Sequence, residues 1–137
     1  MKKQKSKFAR VLIANRGEIA LRAVKTARKL GLQSVAIYSK ADKSSQHVLQ
    51  ADEAICVGPA PSSKSYLAKN AIIHTALSLS CDAIYPGYGF LSENAEFVDL
   101  CEANDIKFIG PAADSIREMG DKSTARQLAV ANNVPVV

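Results

Sequence analysis

The sequence predicts an α/β fold: an open, mostly parallel sheet with helices on both faces. Three observations carry that prediction. Short β-branched apolar runs alternate with longer segments of helical spacing along most of the chain. The runs are apolar at consecutive positions, as strands buried on both faces require. Glycine and proline stand where each run has to stop.

The first run, Arg10–Ala14, is a buried strand, and Asn15-Arg16-Gly17 makes a tight turn after it. A helix follows from Glu18 to Leu30, with Ile19, Ala20, Ala23, Ala27 and Leu30 on one face and Gly31 at its end. Ser34–Tyr38 is the second strand and Ser39 to Ser45 a polar loop. A short helical piece, Gln46–Ala51, leads to a third strand, Glu53–Val57. Proline and glycine at 58–61 exclude further strand. The next helix runs from Ser65 or Tyr66 to Leu79, with Leu67, Ala71, Ile72, Thr75 and Ala76 near helical spacing. Ala83–Tyr85 is a fourth strand, cut by Pro86-Gly87, and a helix of about Asn94–Asn104 follows, capped by Ser92. Lys107–Ile109 is a fifth strand, stopped by Gly110-Pro111. Asp114 caps a short helix that ends at Gly120, and Asp121 caps another from Lys122 to about Ala131. Val134 to Val137 starts a further strand. The pattern is Rossmann-like, so ligands are expected at the carboxyl ends of the strands.

At 137 residues, 47% hydrophobic and 23% charged, the chain suits one domain with one core. No apolar run approaches the roughly 20 residues of a membrane span, and no signal-peptide pattern opens the chain. The net charge of +5 belongs to the N-terminus. Lys2, Lys3, Lys5, Lys7 and Arg10 are five of 18 basic residues, and the rest balance the 13 acids. Residues 1–9 are therefore expected to be a basic disordered tail, and nucleic-acid or membrane binding is not expected. Cys56, Cys81 and Cys101 are odd in number and lack C-x-x-C spacing. Reduced thiols in a cytoplasmic or organelle-matrix protein fit best, with no metal site. His47 and His74 stand alone and read as surface or packing residues.

The turn after the first strand excludes some chemistries. A dinucleotide site needs G-x-G-x-x-G there, but only Gly17 is present, beside Arg16 and Glu18. A Walker A loop is absent, and Asn15 is neutral where a phospho-receiver domain needs an acid. The strongest signal is 85–94, YPGYGFLSEN, with two glycines, a proline and three aromatics at a strand's carboxyl end. Its glycines permit sharp turns or close approach of another group. It reads either as a binding loop or as a rigid connector with core-packed aromatics. Met119-Gly120-Asp121-Lys122 is the second signal. A lysine at the head of a helix can face a phosphate, although a lone lysine is ordinarily a surface charge.

These motifs occur in one order: ANRGEIALR (14–22), ADEAICVGPAPSSKSYL (51–67), YPGYGFLSEN (85–94), FIGP (108–111) and MGDKSTA (119–125). Together they resemble the N-terminal domain of biotin carboxylases, over residues 10–137. This pre-ATP-grasp domain type is shared with other ATP-grasp ligases, and one of those, or a non-catalytic dimerisation or docking module, is the alternative. The resemblance implies domain bounds of 10–120, with 121–137 starting the connection into an ATP-grasp domain.

It further implies an enzyme that uses Mg-ATP to activate bicarbonate and then carboxylates biotin on a carrier. ATP, Mg2+ and biotin are the implied cofactors. The implied partners are the ATP-grasp and C-terminal domains of the same protein, a biotin carboxyl carrier domain, a carboxyltransferase and a second copy in a homodimer. No catalytic or metal-ligating residue is expected within the chain, which alone should be inactive. Lys122 matches the family lysine that approaches the ATP phosphates. Tyr88 and Gly89 match the loop lining the biotin end, with Glu93 and Asn94 holding its shape. Arg16 and Glu18 look structural. Arg22 matches a dimer-interface arginine, but its usual acidic partner falls at Lys29. That leaves Arg22, Lys25, Arg28 and Lys29 on one helix, opposed only by Glu18. Tyr85 stands where histidine is common. The acyl acceptor, which in this family includes acetyl-CoA, propionyl-CoA, methylcrotonyl-CoA, pyruvate and urea, is chosen elsewhere.

Overall fold

The structure, a computed structural model, describes residues 8–131, without the side chains of 122–125 and 127–131. Five strands form one sheet: β1 (Arg10–Ile13), β2 (Gln33–Ser39), β3 (Glu53–Gly58), β4 (Ala83–Tyr85) and β5 (Lys107–Phe108). Their order is β3-β2-β1-β4-β5, and every pairing is parallel. The sheet is thus fully rather than mostly parallel. Leu12 at its centre lies opposite Val35 on one side and Ile84 on the other. The helices are α1 (Gly17–Lys29), α2 (Gln46–Gln50), α3 (Lys69–Ser78), α4 (Ala95–Ala103) and α5 (Ala113–Ala131).

Parallel neighbours need a crossover, and right-handed crossovers fix the face on which each helix lies. The chain starts in the middle, moves outward to β3, then crosses to β4 and β5. Strand alternation splits the core accordingly. Leu12, Val35, Ile37, Ile84 and Phe108 pack with residues of α3, α4 and α5, among them Ile72, Phe97 and Ile116. Val11, Ile13 and Ala83 face the other way, among Ala20, Val24 and Ala27 of α1. On that second face Tyr85 and Ile109 line an open groove of about 470 Å³ with Ile13, Ala23, Ala27 and Leu30.

Four expectations need correction. Phe8 and Ala9 belong to the domain and not to a disordered tail. Phe8 packs against the Val11–Ala27–Ala83 cluster, and the Ala9 amide donates to Asp82 Oδ2 at 2.9 Å. Helix α3 starts at Lys69, because Ser65 and Tyr66 are drawn inward. The Ser65 hydroxyl donates to Pro61 O, and Tyr66 is 1% exposed. Leu67 therefore lies outside the helix. Asn94, not Ser92, caps α4 by accepting the Phe97 amide at 2.9 Å.

The fourth correction concerns Lys122. Helix α5 is continuous through Gly120, so Asp121 caps nothing and Lys122 lies inside a helix. Asp114 is likewise inside the first turn, where it pairs with Arg117. An interior glycine costs about 1 kcal/mol relative to alanine. That is too little to break a helix anchored by buried Ala113 and Ile116 and tied to α4 by Arg117–Asp99. The strand expected at Val134 to Val137 lies outside the described residues.

A Cβ at Gly120 would meet nothing within 4 Å. Gly120→Ala should therefore stabilise the domain by about 0.5–1 kcal/mol, read as a raised denaturation midpoint. A lowered midpoint would mean that the helix breaks at Gly120.

Candidate functional site

The carboxyl ends of β1 and β4 bring two turns together. Asn15, immediately beyond β1, is 1% exposed. Its Nδ2 donates to Pro86 O and to Tyr88 O, both at 2.8 Å. Its Oδ1 accepts the Arg16 amide at 2.8 Å. The turn after the first strand thus grips the glycine loop that follows the fourth. Gly87 has φ +67°, and a Cβ there would stand 2.7 Å from Ile19 Cγ2 and 2.9 Å from Asn15 Nδ2. Only glycine fits. Gly89 also has positive φ, +70°, but its Cβ direction is open. The close contacts are therefore at Gly87, while the space beside Gly89 is open. Tyr88 between them is 77% exposed.

The far end of the loop is held from a second direction. Phe90 has φ 46°, and its ring lies 5.3 Å from that of Tyr66. Leu91 is buried in the main core. Tyr66 donates its hydroxyl to Asp42 Oδ2 at 2.5 Å and accepts the Ser39 amide at 3.1 Å. Asp42 is 7% exposed and also receives Arg16 twice, Nε at 2.7 Å and Nη2 at 2.6 Å. That bidentate pair holds the Asp42 carboxyl down at about 2, against the opposing effect of its burial. Asp42 in turn raises the Arg16 value. Burial and Asp42 raise the Tyr66 hydroxyl. His47 lies alongside, its Nε2 against Ile37 O at 3.2 Å and its Nδ1 without a partner among the described residues; burial lowers its pKa.

The structure thus brings Tyr88, Gly89 and Asn94 into one braced loop. Glu93 is exposed and makes no hydrogen bond or ion pair among the described residues. Arg22, Lys25 and Lys29 are exposed on α1, while Arg28 donates to Gln50 O at 2.7 Å. The Lys122 side chain lies outside the described residues. Sequence reasoning assigned Arg16 a structural part but missed Asn15, Asp42 and Tyr66. Asn15 was legible only as a neutral residue, and Asp42 sat unmarked in a polar loop. No group of His, Cys, Asp and Glu among the described residues could hold a metal. Burial pushes the Cys81 and Cys101 thiols up to about 11 and 12, so both stay protonated. The loop is thus held from two directions, with Tyr88 exposed at its tip.

The chain is an open parallel α/β domain with a braced glycine loop at the carboxyl edge of its sheet, the edge at which such sheets meet ligands. Residues 7–116 match the family model for the biotin carboxylase N-terminal domain. The chain belongs to that family. It is 59% identical over 130 residues to the mitochondrial methylcrotonoyl-CoA carboxylase subunit alpha of Mus musculus, covering 95% of this chain and 18% of that protein. It is 51% identical over 128 residues to biotin carboxylase 1 of Bacillus subtilis, covering 93% and 28%. The biotin carboxylase domain dimer of Hydrogenobacter thermophilus 2-oxoglutarate carboxylase, solved with MgADP, ADP and bicarbonate, superposes with a TM-score of 0.83 at 45% identity. That match covers 95% of this chain and 28% of that one. The chain thus spans less than a third of each.

Asp42 and His47 set the acid response. Both keep folded-state values below their unfolded ones, so the unfolded chain binds protons first and stability falls as pH falls. The His47 contribution is complete above about pH 6.5 and declines below it. The Asp42 contribution is complete above the ordinary carboxyl value of 3.8 and is lost as pH falls toward 2. It amounts to about 1–2 kcal/mol once solvent screening at half-exposed Arg16 is included. Denaturant melts across pH should show both steps. Asp42→Asn should be less stable at neutral pH and lack the lower one; an unchanged acid profile would refute the assignment.

Proposed function

We propose that this chain is the N-terminal domain of a biotin carboxylase that uses Mg-ATP and bicarbonate to carboxylate carrier-bound biotin. Its part is to shape the biotin end of the site. The observation that carries this is the loop after β4: Asn15 and Tyr66 fix it, Tyr88 is exposed, and the space beside Gly89 is open. A flat, partly apolar ring system can lie against the exposed Tyr88 ring, and loop backbone groups can hydrogen-bond its polar edge. The MgADP- and bicarbonate-bound relative supports the nucleotide and carbon source. On this reading the Mg2+ ligands and the proton-transferring groups come from other parts of the enzyme.

In the reaction, bicarbonate oxygen attacks the γ-phosphorus of ATP, releasing ADP and forming carboxyphosphate. The ureido nitrogen of biotin then bonds to the carboxyl carbon as the carbon–oxygen bond to phosphate breaks, and the departing phosphate takes the ureido proton. Lys122 serves as the fixed positive charge near the phosphates, as the MGDK wording implies. Since it lies within α5, its charge acts without help from a helix start. The remaining partners are an ATP-grasp domain, a C-terminal domain, a carrier domain and a carboxyltransferase. Homodimerisation uses the α1 face that carries Arg22 and Lys29. Two such faces apposed directly would place like charges together, so acids from elsewhere must meet them. A reducing cytoplasmic or matrix setting suits the three free thiols.

Gly89→Val in the full-length carboxylase should raise the KM for biotin and leave that for ATP within about twofold. A φ of +70° makes the change cost about 1–2 kcal/mol of stability as well. Expression and melting must be followed together, and equal loss of folding and activity would favour a packing role. Tyr88→Ala should raise the same constant without that strain.

Lys122→Gln should raise the KM for ATP about tenfold, as loss of one charge-assisted contact implies. An unchanged constant would return Lys122 to a surface charge.

A further inference from the structure

We propose that Asn15 is a positioning residue for biotin carboxylation, setting the backbone on which Tyr88 and Gly89 stand. The inference rests on the assignment of that loop to biotin. Asn15 is 1% exposed and belongs to no helix or strand. Its side-chain amide nevertheless makes three hydrogen bonds, Oδ1 accepting from the Arg16 amide and both Nδ2 protons going to Pro86 O and Tyr88 O.

Those two carbonyls flank Gly87. Two donors and an acceptor in one short planar group describe asparagine and no other residue of that length. Aspartate lacks the donors, and serine has one. The amide orientation is fixed by the partners, because reversing it would set Oδ1 against two carbonyl oxygens. Asn15 and Gly87 form a matched pair, since the missing Cβ of Gly87 leaves the space that Nδ2 occupies.

The bond to Tyr88 O is the one nearest the proposed ligand. It holds the peptide between Tyr88 and Gly89, so it fixes the backbone from which the Tyr88 side chain and the open side of Gly89 project. The same turn reaches the far end of the loop through Arg16, Asp42, Tyr66 and Phe90. Asn15 therefore acts through the loop and reaches biotin only by way of it.

The test is Asn15→Asp in the full-length carboxylase. At neutral pH a carboxylate would face two carbonyl oxygens. The KM for biotin should rise about tenfold or more, equivalent to the loss of one to two hydrogen bonds, with that for ATP unchanged within twofold. Lowering the pH protonates the new carboxyl and returns one donor. The variant's kcat/KM for biotin, as a ratio to the parent's, should therefore recover on acidification. The other ionisable side chains on the turn and the loop are Arg16, already bound by Asp42, the exposed Glu18, Tyr88 and Glu93, and the half-buried Tyr85. None of these is changed, so the ratio isolates position 15.

Asn15→Ala should show the same rise in KM without the pH recovery, and it replaces Asn15→Asp should the latter fail to fold. Parent-like biotin constants in both variants would overturn the inference, as would equal rises for biotin and ATP. Should Tyr88→Ala and Gly89→Val also leave the biotin constant unchanged, the loop assignment itself fails. Should those two raise it while Asn15 variants do not, only the positioning role fails.

Discussion

A carboxylate withdrawn from water has to be paired, and the carboxyl edge of this sheet is organised around one. Asp42 stands just past β2, almost fully buried, and receives three hydrogen bonds from two side chains. Left alone, such a charge would cost several kcal/mol. Each donor therefore has to come to it, and each belongs to a different stretch of chain. Arg16 brings the turn after β1, and Tyr66 brings the segment before α3. The Tyr66 hydroxyl also accepts the Ser39 amide, which closes the network back onto the end of β2. Tyr66 then presents its ring to Phe90. One buried charge thus fixes the ends of two strands and, through a ring, the glycine loop.

The sheet and most helices were legible because both-faced burial leaves a mark that needs no partner. Val11–Ala14, Val35–Ile37 and Ala83–Ile84 are apolar at every position, and all are buried. Glycine and proline marked where those runs stop. The misreadings share one cause, which is that distant contacts overrode local preference. Tyr66 fits a helical spacing but is held by a carboxylate 24 residues away. Gly120 looks like a helix end, yet packing at Ala113 and Ile116 carries α5 through it. Phe8 looks like part of a charged tail, but it covers Val11 and Ala27.

The candidate site was legible in part, and the division is physical. The glycine loop announces itself because unusual backbone requires unusual residues in one short stretch. What holds the loop is invisible in sequence, since Asn15 lies 71 positions from Pro86 and its amide has no local signature. The motif wording identified the family, whereas the clamp emerged only from the folded arrangement. Tyr85 shows the same division. In sequence it showed only as a tyrosine where histidine is common, whereas in the fold its ring packs into both clusters under α1. Its backbone carbonyl still accepts the Ala14 amide at 2.9 Å, so the strand end beside the loop keeps its register.

The loop stores backbone strain at one residue, Phe90. Gly87, Gly89 and Phe90 all have positive φ, and Phe90 has a bulky side chain in that region. A residue such as Phe90 adopts that conformation at a cost of about 1–3 kcal/mol and persists only where the surroundings over-determine it. Here three restraints do so from separate directions: Asn15 through two carbonyls, Tyr66 through the Phe90 ring, and the core through Leu91. A loop held this firmly before any ligand arrives loses little further freedom on binding, which favours affinity and fixes orientation. The exposed Tyr88 and the open side of Gly89 are the parts left unrestrained by side-chain packing, and they are the parts a ligand would meet. Rigidity beneath would serve a connector as well; the access above, at Tyr88 and Gly89, is the feature that a connector does not require.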